Sequence, residues 1–216
     1  MNKLILSALT AVTLTAGALF GAALISAAQA QNAPVAKVDP AKVEAVIKGT
    51  WKKPPEGWQS RIDQDETQRI CSEYRNDVPT AVFKAIVARE QATIVYPADG
   101  NVMGDWKAGE KVAQSGSGGQ FSDAPDAVKG GNCYACHQMA KAELSYGTLG
   151  PNLYGYGTTR KFDAAEAKAV YAKVFNAQSV QACSNMPRFG VHKFLTEQQL
   201  KDVTAYLMSP DSPVNK

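Results

Sequence analysis

The sequence is poor in several features that would point directly to a function. The 216 residues include four cysteines, two histidines and three tryptophans, and the formal net charge is only +3. So small an excess of positive charge argues against the basic surface that nucleic-acid binding requires. After residue 25 no apolar run reaches the length that spans a bilayer, so no membrane span is expected in the mature chain. Alternating strand patterns find little support in the second half, and we predict an all-α fold.

The first thirty residues have the pattern of an export signal. Lys3 precedes an uncharged, mostly apolar run from Leu4 to Ile25, and Ala28-Gln29-Ala30 forms a small-x-small cleavage site. We predict cleavage after Ala30, which leaves 216 − 30 = 186 residues with a charge near +2. A retained membrane anchor is the alternative, because the apolar run is about long enough to cross a bilayer. Cleavage would place the chain in the periplasm, where disulfides persist.

The mature chain divides into two parts by composition. Residues 31–120 are predicted to form an N-terminal extension and linker, and residues 121–216 the main helical domain. Within the extension we predict short helices over Pro40–Lys48 and Pro79–Gln91, from apolar residues at helical spacing. The stretch Tyr96–Gln120 contains clusters of Gly, Asp and Ser, and these predict a loop.

Two helices are predicted in the main domain from their capping residues. One runs from Asp163, its N-cap, to about Ala177. The last helix lies in "LTEQQLKDVTAYL", where Thr196 and Gln199 form a capping box and Pro210 follows the end. The last helix is interpreted as part of the core.

The scarce cysteines and histidines are concentrated in one short segment. Cys133-Tyr134-Ala135-Cys136-His137 has the C-x-x-C-H spacing of covalent c-type haem attachment. Two thiols at this spacing can add to the vinyl groups along one porphyrin edge, and the adjacent His137 can ligate the iron. A thioredoxin-like disulfide would need a βαβ context, and a structural zinc site would need a second ligand pair at suitable spacing. The motif therefore predicts one covalently bound haem.

The other axial position of the iron has several candidates, of which Met186 is favoured. Met186 lies in the loop "CSNMPRFG" between the two late helices, and Pro187 stiffens that loop by fixing its own φ. A loop in this place can cover the second haem face, although an open coordination site is also possible. The other candidates are His192, Met103, Met139 and Met208.

Cys71 and Cys183 are left over once the haem motif has used the other two cysteines. In an oxidising compartment we predict that they form a disulfide. Free thiols, intermolecular bonds and a nucleophilic Cys183 remain the alternatives.

The order of motifs resembles a class I cytochrome c. C-x-x-C-H is followed by "GTLGPNLYGYG", a Met-Pro loop and a closing amphipathic helix. More narrowly, "GNCYACHQ", "VFNAQSVQACSNMPRFG" and "LTEQQLKDVTAYLMSPDSPV" resemble the SoxX family, the monohaem subunit of SoxAX cytochromes in bacterial sulfur oxidation. The likeness is strong from Gly131 onward and weaker over Asp63–Tyr96. It implies a small bundle in which the helix at the attachment motif packs against the last helix.

The resemblance also implies roles for individual residues. Cys133 and Cys136 would hold the haem, and His137 and Met186 would be its axial ligands. In cytochromes of this type the carbonyl of the Gly-Pro-Asn turn, here that of Pro151, accepts a hydrogen bond from the proximal histidine.

The partners implied by the resemblance are three other proteins. A SoxA-like cytochrome subunit would form a heterodimer with this chain and couple thiosulfate oxidatively to a cysteine of a SoxYZ-like carrier. As an enzyme, the complex would be an L-cysteine S-thiosulfotransferase, and this chain would only pass electrons to a small acceptor cytochrome c. A general electron carrier, or a freestanding haem enzyme in which Cys183 carries sulfur, is the other interpretation.

Overall fold

The computed structural model describes residues 36–120, 122–124 and 126–216, and every regular element in those residues is a helix. The predicted export signal, residues 1–30, lies outside this part of the chain. The elements belong to one compact unit, Val38–Lys216. The all-α fold class is therefore confirmed. The α-helices are α1 (Pro40–Thr50), α2 (Gln59–Ile62), α3 (Glu66–Glu73), α4 (Thr80–Gln91), α5 (Trp106–Gln114), α6 (Tyr156–Thr159), α7 (Ala164–Phe175) and α8 (Glu197–Met208), with 3₁₀ turns at Cys133–Ala135, Ala177–Ser179 and Pro213–Asn215.

Helices α1 and α4 confirm the two helices predicted in the N-terminal extension. The carboxylate of Asp39, the N-cap of α1, accepts the N–H of Ala41 at 2.9 Å, and proline occupies the first helical position. Helix α1 continues two residues past the predicted end at Lys48. Helix α4 starts one residue after the predicted start at Pro79. Apolar residues at helical spacing were thus sufficient to predict both helices.

Helices α7 and α8 confirm the two predicted helices of the main domain. Asp163 caps α7 by accepting the N–H groups of Ala165 and Glu166 at 2.8 and 3.1 Å. Helix α7 ends two residues before the predicted end at Ala177. In α8 the Thr196 hydroxyl accepts the N–H of Gln199, and the Gln199 side chain accepts the N–H of Thr196. This reciprocal capping box was readable from the sequence.

Helix α5 packs closely against α8, and the predicted loop over Tyr96–Gln120 is wrong at this point. The attachment motif itself forms only a 3₁₀ turn, so no helix at the motif fills that place. Contact between α5 and α8 is close at Gly109. A Cβ atom there would overlap the carbonyl of Asp202 and lie 2.9 Å from Cβ of Tyr206. The crossing therefore requires glycine, the residue that lowered the helical signal of this segment.

The start of α5 is bonded to α8 through a buried carboxylate. Oδ1 of Asp202 accepts the N–H of Asp105 at 2.9 Å, and the N–H of Gly104 donates to the carbonyl of Lys201 at 3.1 Å. Backbone N–H groups at the N-terminus of a helix have no acceptor within the helix, and these bonds supply acceptors from α8. A division of the chain at residue 121 would separate α5 from the helix on which it packs.

The residues just before the motif are hydrogen-bonded to the end of α5. The N–H of Gly131 donates to the carbonyl of Val112 at 2.7 Å, and that of Asn132 donates to Ser115 at 2.9 Å. The chain thus leaves α5 after Ser115 and is bonded to it again at Gly131. The attachment motif lies beside α5 although it follows much later in the sequence.

Buried apolar side chains form two separate clusters. The larger one, between α5, α7 and α8, includes Ala113, Tyr134, Met139, Val170, Tyr171, Phe175, Phe189, Leu200, Val203, Tyr206 and Met208. The smaller one contains Cys71, Ile86, Ala182 and Cys183, with Ile70, Val82, Phe83 and Val87 packed against it. Of the helices in the described part of the chain, none has the length and apolar character needed to cross a membrane.

Candidate haem site

The C-x-x-C-H motif is folded into a tight turn. The N–H groups of Cys136 and His137 both donate to the carbonyl of Cys133, at 3.1 and 2.9 Å. Asn132, just before the turn, has φ = 46°, a left-handed conformation that asparagine tolerates better than most residues. Both motif cysteines are half-buried and neither is in a disulfide. The turn thus presents two thiols and one imidazole from five consecutive positions.

Tyr134, between the two cysteines, fixes the turn to the last helix. Its side chain is buried, and its hydroxyl lies 2.7 Å from that of Tyr206 in α8. The same hydroxyl accepts the N–H of Ala140 at 3.2 Å. Burial, with the hydrogen bond to Tyr134, raises the pKa of Tyr206, so the Tyr206 hydroxyl stays neutral. Tyr134 was not predicted as a site residue, because its only signal in the sequence was an aromatic side chain inside the motif.

The environment of Cys133 does not suit a redox-active thiol. Burial raises the pKa of the Cys133 thiol to about 12, and the neighbouring Cys136 adds to the increase. Reactive thiols of C-x-x-C redox proteins have a lowered pKa instead. The raised pKa of Cys133 thus argues against the thioredoxin-like interpretation of the motif.

The imidazole of His137 is held by the turn that follows the motif. Its Nδ1 lies 2.7 Å from the carbonyl oxygen of Pro151. Because a carbonyl only accepts, Nδ1 carries the proton and the lone pair is on Nε2. Gly150 packs against the ring, and a Cβ atom there would come within 2.5 Å of Nδ1. His137 therefore presents Nε2 in the tautomer and fixed orientation that a metal ligand needs.

Further backbone bonds attach the following loop to the motif. The N–H of Gly150 donates to the carbonyl of Cys136, and that of Gly147 donates to the carbonyl of Tyr134, both at 2.8 Å. The N–H of Leu153 donates to the carbonyl of Gln138, also at 2.8 Å. The "GTLGPNL" segment is thus ordered by the turn that it supports.

Met186 is half-buried in the loop between α7 and α8 and packs against the larger cluster. Its N–H donates to the Ser184 hydroxyl at 3.2 Å. Met139 and Met208 are fully buried core residues, at 1% and 2% exposure, which agrees with a packing role for both. Met103 is partly buried and precedes Gly104, whose N–H donates to the carbonyl of Lys201 in α8.

His192, the other candidate ligand, follows the Met186 loop. Partial burial and the nearby positive charge of Arg188 lower the pKa of His192, while Asp65 and Glu90 act in the opposite direction. Its surroundings are thus charged residues, two of which come from the N-terminal extension.

A disulfide joins Cys71 of α3 to Cys183, with the Cα atoms 5.4 Å apart. Cys183 has φ = 59°, a left-handed conformation at the start of the Met186 loop. Because its sulfur is bonded, Cys183 has no thiol to act as a nucleophile. The alternative of a freestanding enzyme that carries sulfur on Cys183 is therefore contradicted in this oxidised form.

Comparison with known proteins agrees with the geometry of the motif. The cytochrome c family model matches residues 107–210, from α5 to just past α8. The chain is also 36% identical over 189 residues to an uncharacterized lipoprotein of Aquifex aeolicus (strain VF5), covering 87% of this chain and 90% of that protein. The segment 107–210 belongs to the cytochrome c family. As a member of that family, this cytochrome carries covalently bound haem c and serves as a haem electron carrier.

The residues of this cytochrome fit the group that its family binds. Two unpaired thiols lie at the attachment spacing, and an imidazole with a free Nε2 follows them directly. Gly150 leaves room for that ring where any side chain would displace it. The match with the lipoprotein also extends beyond the cytochrome c model into the N-terminal extension, so both proteins share that part.

Proposed function

We infer that this cytochrome is the monohaem electron-transfer subunit of a SoxAX-type complex. The general part of this statement, electron transfer by a c-type cytochrome, rests on the family. The specific part is supported by the quoted motifs from Gly131 onward, which resemble SoxX chains. In this role the protein accepts electrons from a SoxA-like partner, where thiosulfate is coupled to a SoxYZ-like carrier, and passes them to a small acceptor cytochrome c.

The haem would be held by four side chains of this protein. Cys133 and Cys136 would be the attachment residues, and His137 and Met186 would bind the iron. When bound, the group supplies reversible one-electron chemistry. The bond from Nδ1 of His137 to the carbonyl of Pro151 is the observation that carries this assignment. It orients the imidazole and makes Nε2 a stronger donor, as bonds to ligating histidines commonly do.

An electron carrier fits the chain better than a self-sufficient enzyme. Two protein ligands on the iron leave no coordination position for a substrate. Oxidised Cys183 offers no alternative nucleophile. The chemical step of the complex would then occur on the SoxA-like subunit, with this chain removing the electrons.

The periplasm is the compartment that we propose, on the basis of the predicted signal over residues 1–30. The disulfide between Cys71 and Cys183 is in keeping with an oxidising compartment. Because the mature chain has a charge near +2 and haem propionates add about two negative charges, docking to partners would depend on local surface patches.

Two measurements test the site, haem extraction and the absorption spectrum of the ferric protein. The mature protein should carry one haem that survives acid-acetone extraction, and extractable haem would refute covalent attachment. The ferric protein should show a weak far-red sulfur-to-iron band that Met186→Ala abolishes, with a lowered reduction potential. Persistence of the band in the variant would assign the ligand to another methionine.

Co-purification tests membership of the complex. From native periplasm, the chain should elute together with a second c-type cytochrome, and the pair should lose thiosulfate-dependent activity when either is removed. If the chain elutes alone and reduces small acceptors without a partner, the general electron-carrier interpretation replaces the SoxAX role.

A further inference from the structure

The loop that contains Met186 is attached to the N-terminal extension on both sides of that residue. Three positions earlier, Cys183 is in the disulfide with Cys71 of α3. Two positions later, Arg188 contacts Asp65 and Glu90. Between Met186 and Arg188 there is only Pro187, whose ring fixes its φ and reduces the freedom of that link.

Arg188 is buried in spite of its charge, with 5% of its side chain exposed. Nη2 donates to Oδ2 of Asp65, and Nη1 lies 3.4 Å from Oε2 of Glu90. A charge taken out of water is tolerated only when it is paired and hydrogen-bonded. The guanidinium therefore holds its part of the loop in one place.

The acceptor Glu90 is itself fixed by two other elements. Oε2 of Glu90 accepts Nδ2 of Asn176 at 2.8 Å, and Oε1 accepts the hydroxyl of Thr67. Asn176, at the end of α7, and Thr67, in α3, are both buried. These two bonds hold the Glu90 carboxylate between the extension and the main domain independently of Arg188.

Asp65 serves two purposes with one carboxylate. Its Oδ1 accepts the N–H of Gln68 at 2.8 Å and so caps α3, while Oδ2 receives Arg188. The start of α3 and the guanidinium are therefore positioned together.

We propose that Arg188 is a positioning residue for the sixth iron ligand: by bonding to Asp65 and Glu90 it keeps the Met186 thioether over the haem. This rests on the role given to Met186 under the proposed function. The N-terminal extension then contributes to the ligand strength of a residue more than ninety positions away, since Arg188 and Glu90 are 98 residues apart. Loss of the guanidinium frees the loop on one side of Met186, and the disulfide still restrains it on the other.

The test compares Arg188→Gln with Arg69→Gln in the holoprotein. Arg69 is a matched control because it also forms an ion pair, with Glu73 inside α3 at 3.8 Å. Imidazole is the probe, since it binds ferric haem only where the sixth ligand gives way. Titration of each ferric variant gives the apparent affinity, and the far-red band reports the remaining thioether bond.

We expect Arg188→Gln to bind imidazole at least tenfold more tightly than wild type, with a weaker far-red band. Arg69→Gln should stay within twofold. Glu90→Gln, which keeps the shape of the acceptor but removes its charge, should lie between them. Equal affinities for Arg188→Gln and Arg69→Gln would overturn the proposal.

Two controls separate this proposal from its premises. If wild type lacks the far-red band and Met186→Ala leaves imidazole affinity unchanged, the ligand assignment fails, and the proposal with it. If Met186→Ala raises the affinity but Arg188→Gln does not, only the positioning role fails. Should Arg188→Gln fold poorly, Glu90→Gln gives the same comparison, and unchanged affinity in that variant counts against the proposal.

Discussion

The two buried clusters of this cytochrome are held together by different means. The haem-binding region, α5 to α8 with the attachment motif, has a continuous apolar core to which three long helices contribute. The N-terminal extension, α1 to α4, has a small cluster built around Ile86 and the disulfide cysteines. Contacts between the extension and the rest of the chain include this disulfide and the buried bonds of Arg188 and Asn176 to Glu90. Where apolar area is scarce, covalent and charged contacts replace it, and they meet at the Met186 loop.

Removal of the disulfide should give the largest effect on this comparison. The bond closes a loop of 112 residues, which restricts the unfolded chain by about 4 to 5 kcal/mol in the chain-entropy model. We expect the double variant Cys71→Ala/Cys183→Ala to lose several kcal/mol of unfolding free energy in guanidinium titrations followed by circular dichroism. Limited proteolysis should release the extension while the haem-binding fragment persists. Simultaneous loss of both regions would show that they form one cooperative unit.

A glycine-to-alanine pair compares one helix from each region. Gly109→Ala places a methyl group against the backbone of α8 and should destabilise the protein by about 1 to 3 kcal/mol, as overpacking does. Gly49→Ala in α1 meets no atom within 4 Å and should stabilise by about 0.5 to 1 kcal/mol through helix propensity. Thermal unfolding of both variants measures the difference. Equal changes in the thermal unfolding midpoint of Gly109→Ala and Gly49→Ala would show that α5 and α8 can move apart easily.

The tyrosine pair tests how firmly the attachment turn is held to the core. Tyr206→Phe removes the bond to the Tyr134 hydroxyl, which keeps its contact with Ala140, and should cost about 1 kcal/mol. Tyr154→Phe is the control, because its hydroxyl bonds an exposed carbonyl of Lys216 at the chain terminus. Chemical denaturation should show a smaller loss for the control. A larger loss of stability in Tyr154→Phe than in Tyr206→Phe would show that the more important contact is the one at the C-terminus.

The smallest expected effect is a pH dependence from the extension. Burial acts to raise the pKa of Asp65, but hydrogen bonds from Gln68 and Arg188 outweigh it and hold the pKa below its usual value. The stability from this depressed pKa is present above about pH 3.9, the ordinary value, and is lost as pH falls through the folded pKa. Asp65→Asn keeps an N-cap residue but removes the titration. The difference in unfolding midpoint between wild type and variant should therefore shrink below about pH 4, and a constant difference would contradict the assignment.

Local sequence signals were sufficient to predict four helices. Asp163 and Thr196 marked helix starts because a capping side chain acts on backbone groups only two or three residues away. By contrast, α5 was predicted as loop. Its Gly109 and the Gly and Ser residues around it lower local helix propensity, and the close contact with α8 explains only Gly109 among them.

The sequence by itself determined the haem chemistry of this protein, because C-x-x-C-H places two thiols and an imidazole within five residues. The sequence also showed that Cys71 and Cys183 are the two cysteines outside the haem motif, so that they either pair with each other or remain free thiols. Only the tertiary structure decided that α5 is the partner of α8 and that Arg188 is buried against Asp65 and Glu90. These contacts join residues about a hundred positions apart. Their energy comes from close backbone approach and from paired buried charge, which no local pattern of residues encodes.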